Sequence, residues 1–87
     1  MNLEIRYTPE FVRTYSKLER DLQLEIKSKI ELFKNTNNHR SLKVHKLHGR
    51  LKNRFSFSIN YKFRVIFEYI KNKTVALVSV GSHDIYK

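Results

Sequence analysis

The sequence predicts a small α+β fold of the order β-α-α-β-β-β, with two helices covering one face of an antiparallel sheet. Alternating apolar segments fill the second half of the chain, and a helix-spaced apolar pattern fills the first third. The length of 87 residues is enough for one core and is near the lower limit for a core without disulfides. We therefore expect a single domain over residues 1–87.

Three alternating segments predict a meander of three antiparallel strands. They are Phe55–Ile59, Phe63–Tyr69 and Thr74–Val80, and polar turn sequences separate them. Because successive side chains of a strand point to opposite faces, the aromatic residues of the first two strands share the face that meets the helices. We expect the opposite face to be left free for function, and it carries Ser56, Ser58, Lys62, Arg64, Ile66 and Glu68.

The first third of the chain predicts a short strand and two helices. Residues 2–7 alternate between polar and apolar side chains. Thr8 then supplies a hydroxyl N-cap, and Pro9 suits the first position of a helix. Helical spacing of the following apolar residues predicts helices over 9–18 and 21–35. Because neither glycine nor proline marks the joint between them, one bent helix is the alternative.

The charge of the chain is concentrated in one block. The formal net charge is +10, yet residues 1–31 carry equal numbers of acidic and basic side chains. Residues 32–67 contain nine lysines and arginines and no acid. A block of this kind is typical of a protein that binds a polyanion, and we favour nucleic acid as that ligand. The alternative is a basic protein without such a ligand.

The densest part of this block is a basic connection over residues 39–54. Interleaved leucine and valine side chains should hold it against the body of the protein while its cations point outward. The candidate RNA-binding residues are Lys43, Lys46, His48, Arg50, Lys52 and Arg54, with Lys62 on the turn that follows the first meander strand.

Several classes of site are disfavoured by what the sequence lacks. Without cysteine there is neither a disulfide nor a thiolate metal site, and the few acids are not clustered as a metal site would require. The sequence has no phosphate-binding glycine loop, no membrane-length apolar run and no signal-peptide pattern. We therefore expect no metal or other cofactor, a cytoplasmic location, and metal-free acid–base chemistry if the protein is an enzyme.

Two positions stand out as candidates for that chemistry. Arg64 lies in mid-strand between apolar neighbours, where it either pairs with Glu68 or binds a phosphate with its guanidinium group. His83 follows Gly81 and Ser82 at the end of the last strand, and a histidine there can act as a general acid or base. Tyr86 could stack on an RNA base. The alternative for His83 is an ordinary surface histidine.

The order of these motifs resembles the RelE/ParE superfamily of type II toxins over essentially the whole chain. The resemblance rests on the order of elements and on three motifs, Leu47–Leu51, Phe63–Phe67 and Val80–Tyr86. The glycine, serine and histidine of the last motif, followed by an aromatic residue, resemble the RNA-cleaving branch typified by YafQ and RelE more than the gyrase-inhibiting ParE branch.

The resemblance implies a ribosome-dependent endoribonuclease that cuts mRNA and is held inactive by a cognate antitoxin. Arg64 matches the arginine that contacts the scissile phosphate, and His83 matches the general acid. Tyr86 matches the terminal aromatic residue, and His45 matches a histidine before a Leu-x-Gly element.

The general base is left open, because the strand lysines of RelE are replaced here by Ser56 and Ser58. The candidates are His45, His48, or electrostatic activation by lysine and arginine without a base. Two alternative functions also remain: a non-nuclease inhibitor of DNA gyrase, and an inactive member that only binds an antitoxin. The sequence gives no information on codon preference, the antitoxin's identity or the oligomeric state.

Overall fold

Two helices pack on one face of a five-stranded mixed sheet in the computed structural model, which describes residues 1–49 and 53–82. The predicted α+β class is confirmed. The elements are β1 (Glu4–Tyr7), α1 (Pro9–Ser16), α2 (Arg20–Phe33), β2 (His45–Lys46), β3 (Phe55–Ser58), β4 (Phe63–Lys71) and β5 (Thr74–Ser82), with a 3-10 turn at Thr36–Asn38.

The strand order across the sheet is β1-β5-β4-β3-β2. The predicted antiparallel meander is confirmed as β3, β4 and β5. The first strand departs from the antiparallel pattern, because β1 runs parallel to β5 with Ile5 opposite Val75. Parallel neighbours require a long crossover connection, and the two helices and the intervening strands supply it.

The basic connection is not wholly a loop, which corrects the sequence expectation. His45 and Lys46 form β2 and pair antiparallel with β3 at the edge of the sheet. The Leu47 N–H donates to the Arg54 carbonyl at 2.8 Å. This pairing occurs because β3 would otherwise present unsatisfied backbone donors and acceptors at an open edge.

The two helices are separate, which excludes the single bent helix. Glu19 between them is extended, with φ of −69° and ψ of 161°, so the helical hydrogen bonds cannot continue through it. Both helices end two residues earlier than predicted, α1 at Ser16 and α2 at Phe33. After α2, Asn35 starts the 3-10 turn by accepting a hydrogen bond from the Asn37 N–H at 2.9 Å.

The Thr8 side chain hydrogen-bonds both to the start of α1 and to the backbone of β5. Its hydroxyl accepts from the Phe11 N–H at 3.0 Å, as predicted for an N-cap, and donates to the Val78 carbonyl at 2.9 Å.

The register of β5 against β4 shifts at Val78, which is an extra residue in β5. Because of this bulge, Leu77 and Val80 both face the core although they are three residues apart.

The core lies between the helices and the sheet. Phe33 at the end of α2 is fully buried, and its ring stacks on Phe57 with 4.2 Å between centroids. His39 stacks on the same ring at 4.7 Å, and Phe67 meets it edge-on at 4.7 Å. Aromatic pairs in this geometry stabilise a core beyond their buried area.

The sheet face opposite the helices is only partly free, which corrects the expectation that it is left open. Ser56, Ile66 and Ser79 lie side by side on β3, β4 and β5, and their exposed fractions are 0%, 1% and 6%. The accessible polar side chains lie on either side of this buried row. Within the described ranges, no helix is long and apolar enough to cross a membrane.

Candidate nucleic-acid site

Arg64 occupies the sheet face opposite the helices, near the end of the sheet where β3 turns into β4. It lies in register with Ser58 on β3 and Gly81 on β5. Alternation also puts Ser56 and Ser58 on this face, as the sequence predicted. The Arg64 side chain is half-buried, and Nη1 donates a long hydrogen bond of 3.4 Å to Ser58 Oγ.

The ion pair between Arg64 and Glu68 that the sequence allowed is not formed. Four residues span about 13 Å along a strand, which is too far for the two side chains to meet. Glu68 Oε2 instead lies 3.8 Å from Arg54 Nε across the sheet. Since no acid of residues 1–49 and 53–82 pairs with Arg64, its guanidinium retains hydrogen-bond donors for an anionic ligand.

The imidazole of His45 is held in a defined orientation. Its Nδ1 atom lies 2.9 Å from the Lys43 carbonyl. A carbonyl oxygen can only accept, so Nδ1 carries the proton and the neutral ring has its lone pair on Nε2. Nε2 faces Ser56 Oγ at 3.5 Å. Lys43 has a left-handed backbone with φ of 57°, which is uncommon for a residue other than glycine.

His45 and Arg64 therefore flank the same stretch of the sheet face. His45 is opposite Ser56, and Arg64 is opposite Ser58, two residues further along β3. Two strand spacings and two residues along the strand separate the Cα atoms of His45 and Arg64 by roughly 12 Å. Long side chains approaching each other across this distance could hold a phosphodiester group between them.

The predicted RNA-binding residues differ in their accessibility. Lys43, Lys46, His48 and Lys62 are exposed, as expected of residues that contact a backbone phosphate. Arg54 is half-buried, and its ion pair with Glu68 offsets part of its charge. The basic connection does not present a single face, because Lys46 is opposite Phe55 while His45 is opposite Ser56.

Four predicted site residues, Arg50, Lys52, His83 and Tyr86, lie outside the described residues. The last two described residues of β5 are Gly81 and Ser82, which pair with Arg64 and Phe63. The described part of β5 therefore ends next to the strand position of Arg64. Within the described ranges, no group of three or more histidine, aspartate or glutamate side chains could hold a metal ion.

Two further surfaces were not singled out by the sequence reasoning. The turn between β3 and β4 presents Tyr61, which is 98% exposed. An aromatic residue inside a polar turn is the sequence signal that could have identified it. The second surface is an apolar groove of about 230 Å³ on the helix side of the protein. It is lined by Tyr7, Phe11, Val12, Tyr15, Lys27 and Ile30.

The fold is that of known bacterial and archaeal toxins. YafQ from E. coli strain BL21(DE3) matches with a TM-score of 0.72 and 18% identity, covering 95% of this chain and 96% of YafQ. The E. coli DinJ–YafQ toxin–antitoxin complex matches with a TM-score of 0.74 and 16% identity, covering 98% of this chain and 97% of the matched chain. The archaeal RelE–RelB complex from Pyrococcus horikoshii OT3 matches with a TM-score of 0.70 and 14% identity, covering 94% of this chain and 96% of the matched chain. At these identities the likeness establishes the fold alone.

The family follows from the sequence itself. Residues 8–83 match the family model of the HigB-like toxin, described as the RelE-like toxin of the type II toxin–antitoxin system HigB. The chain therefore belongs to this family of RelE-like toxins, and the predicted membership of the RelE/ParE superfamily is confirmed. Among curated protein sequences, none gives a significant match.

Proposed function

We propose that this toxin is a ribosome-dependent endoribonuclease that cuts mRNA without a metal ion. The 2′-hydroxyl of the nucleotide before the cut would attack the adjacent phosphorus as it loses its proton. The bond from phosphorus to the 5′-oxygen would break, and that oxygen would gain a proton. The products would be a 2′,3′-cyclic phosphate and a 5′-hydroxyl end.

The observation that carries the proposal is Arg64 on a basic sheet face, without a carboxylate partner among the described residues. A partly buried arginine between apolar residues of a strand usually has an acidic partner. Within residues 1–49 and 53–82, the side-chain partner of Arg64 is Ser58 at the long distance of 3.4 Å, so its charge is available for a phosphate. In the reaction, Arg64 would stabilise the negative charge that develops on the scissile phosphate.

The orientation of His45 supports it as the general base. With Nδ1 bound to the Lys43 carbonyl, Nε2 carries the lone pair, and the 2′-hydroxyl would replace its long 3.5 Å contact with Ser56 Oγ and give Nε2 its proton. His48 is exposed, and none of the described contacts orients its ring. His83 would supply the proton to the 5′-oxygen, and Tyr86 would stack on the substrate, as the family resemblance implies.

Replacing His45 by alanine tests the assignment of the base. We expect His45→Ala to lower the cleavage rate by on the order of 100- to 10,000-fold, because proton transfer would lose its acceptor. His48→Ala is the matched control, and its rate should fall less than about tenfold. A fully active His45→Ala would remove His45 as the base, and full activity of both variants would favour electrostatic activation without either histidine.

The nuclease itself is tested by primer extension on a reporter mRNA after brief induction of the toxin. We expect new in-frame 5′ ends only while the message is translated, and their loss in His83→Ala. Growth arrest with intact mRNA would indicate a protein target such as DNA gyrase. Neither arrest nor cleavage would indicate an inactive antitoxin-binding member.

The partners of this function would be mRNA on the ribosome, in the cytoplasm, and a cognate antitoxin. The solved structure of YafQ with DinJ is a toxin–antitoxin complex, and the archaeal RelE of the same fold was solved in complex with RelB. The net charge of +10 favours an acidic antitoxin. The groove beside α1 suits one apolar face of an amphipathic antitoxin helix, with Lys27 at its margin available to an acidic side chain.

A charge placed in this groove should separate neutralisation from toxicity. We expect Val12→Asp to weaken antitoxin binding at least tenfold, because the helix would have to bury a carboxylate. Growth arrest should persist, since Val12 lies on the helix side. Leu24→Asp is a matched control, because Leu24 and Val12 are both 53% exposed and Leu24 does not line the groove. Co-expression rescue and pull-down measure the effect; unchanged neutralisation of Val12→Asp would show that the antitoxin binds elsewhere.

A further inference from the structure

We infer that Tyr61, at the turn between β3 and β4, is a substrate-positioning residue that stacks on an RNA base beside the scissile phosphate. This inference rests on the proposed function and adds a residue that the family resemblance did not supply. It is drawn from the exposure of the ring, the rigidity of the turn, and the cations around it.

The Tyr61 ring projects into solvent and is not packed against the described part of the chain. Its exposed fraction is 98%, whereas the next most exposed of the described tyrosines, Tyr7, is 52% exposed and contacts Phe11. Single exposed aromatic residues are common on protein surfaces, so exposure alone identifies nothing. The position of Tyr61 on the turn supplies the further argument.

The turn that carries Tyr61 is held by hydrogen bonds on both sides. Asn60 Oδ1 accepts from the Lys62 N–H at 2.8 Å and from the Phe63 N–H at 2.9 Å. Asn60 Nδ2 donates to Glu25 Oε1 on α2 at 2.8 Å, which anchors the turn to the body of the protein. A ring on a fixed backbone loses less entropy on stacking than a ring on a mobile loop.

The turn lies at the same end of the sheet as Arg64. Arg64 is three positions after Tyr61 in the chain, so their Cα atoms are at most about 10 Å apart. Lys62 lies between them in sequence and is exposed, with its ammonium group 5.7 Å from the centre of the Phe63 ring. A phosphate bound by Arg64 would therefore have a flanking nucleotide within reach of Tyr61.

The surrounding charge favours RNA over a protein as the ligand of this ring. No acid occurs in residues 32–67, and the carboxylate of Glu25, at the base of the turn, accepts a hydrogen bond from Asn60 Nδ2. Aromatic side chains beside cations stack on single-stranded bases without depending on sequence. The turn thus combines a fixed ring with positive charge, the two features that bind a base and its phosphate.

The test is binding of a short, fluorescently labelled single-stranded RNA, 2′-O-methylated so that it cannot be cleaved. The full-length native chain is compared with Tyr61→Ala, Tyr61→Phe and Leu24→Ala. We expect Tyr61→Ala to weaken binding by about five- to 150-fold, the range for loss of one base–aromatic stack. Tyr61→Phe, which keeps the ring, and Leu24→Ala should bind like the native chain. An abasic nucleotide at the stacked position should remove the difference between native and Tyr61→Ala.

Three results would overturn the inference: binding unaffected by Tyr61→Ala, no binding by the native chain, or a defect in antitoxin binding rather than RNA binding. The binding assay does not require catalysis. A Tyr61-dependent RNA affinity in a chain that cleaves nothing would support the inference and refute the nuclease. Normal mRNA cleavage by Tyr61→Ala together with unchanged RNA binding would support the nuclease and refute the role of Tyr61.

Discussion

Arg64→Ala is expected to abolish growth arrest and to lower the rate of mRNA cleavage by on the order of 100- to 1,000-fold. The reason is the loss of a charged donor to the phosphate as its negative charge increases in the transition state. Arg64→Lys should recover only part of the rate, since an ammonium group keeps the charge but loses the planar fork of donors. Primer extension and single-turnover cleavage on translating ribosomes would measure both variants.

Antitoxin binding provides the control for this experiment. Arg64 lies on the sheet face opposite the helices, so Arg64→Ala should still bind the antitoxin at the groove beside α1. Arg13→Ala, which removes an exposed arginine from α1, should leave cleavage intact. Full toxicity of Arg64→Ala would remove this arginine from the mechanism. Loss of antitoxin binding as well would indicate a folding defect instead.

Phe33→Ala is expected to lower the free energy of unfolding by about 3–5 kcal/mol. Phe33 is fully buried and packs against three rings, those of His39, Phe57 and Phe67. Removing it would leave a cavity where α2, β3 and β4 meet. For a chain of this size the midpoint of thermal unfolding should fall by at least about 12 °C.

The adjacent residue supplies a matched control. Leu32 belongs to the same helix and is 43% exposed, so Leu32→Ala should cost less than about 1 kcal/mol. Urea titration followed by circular dichroism would measure both variants. If the two substitutions lowered the free energy of unfolding equally, the aromatic cluster around Phe33 would not be the main source of stability of this fold.

Local patterns in the sequence were sufficient for most of the fold. Thr8 and Pro9 marked the start of α1, and the cap hydrogen bond to the Phe11 N–H is present. Alternation placed Phe57 and Phe67 in the core, and Arg64 on the other face with Ser58. These features depend on residues close together in the chain, which is why periodicity and capping rules could predict them.

The candidate site was predicted less completely, because its contacts join distant strands. His45 was a candidate by resemblance, but its bond to the Lys43 carbonyl and its approach to Ser56 depend on β2, a two-residue strand without a sequence pattern. The partner of Glu68 proved to be Arg54 rather than Arg64, since register across the sheet decides which charges meet. The roles of His83 and Tyr86 stay predictions.

The sequence by itself determined the order of the elements other than β2, which side chains of β3 and β4 share a face, the basic block and the superfamily. Only the tertiary structure decided the parallel pairing of β1 with β5, the bulge at Val78, the burial of Ile66 and the orientation of His45. The physical reason is that side-chain alternation is a property of each strand alone. Register, edge pairing and burial are fixed by which strands and loops lie beside it.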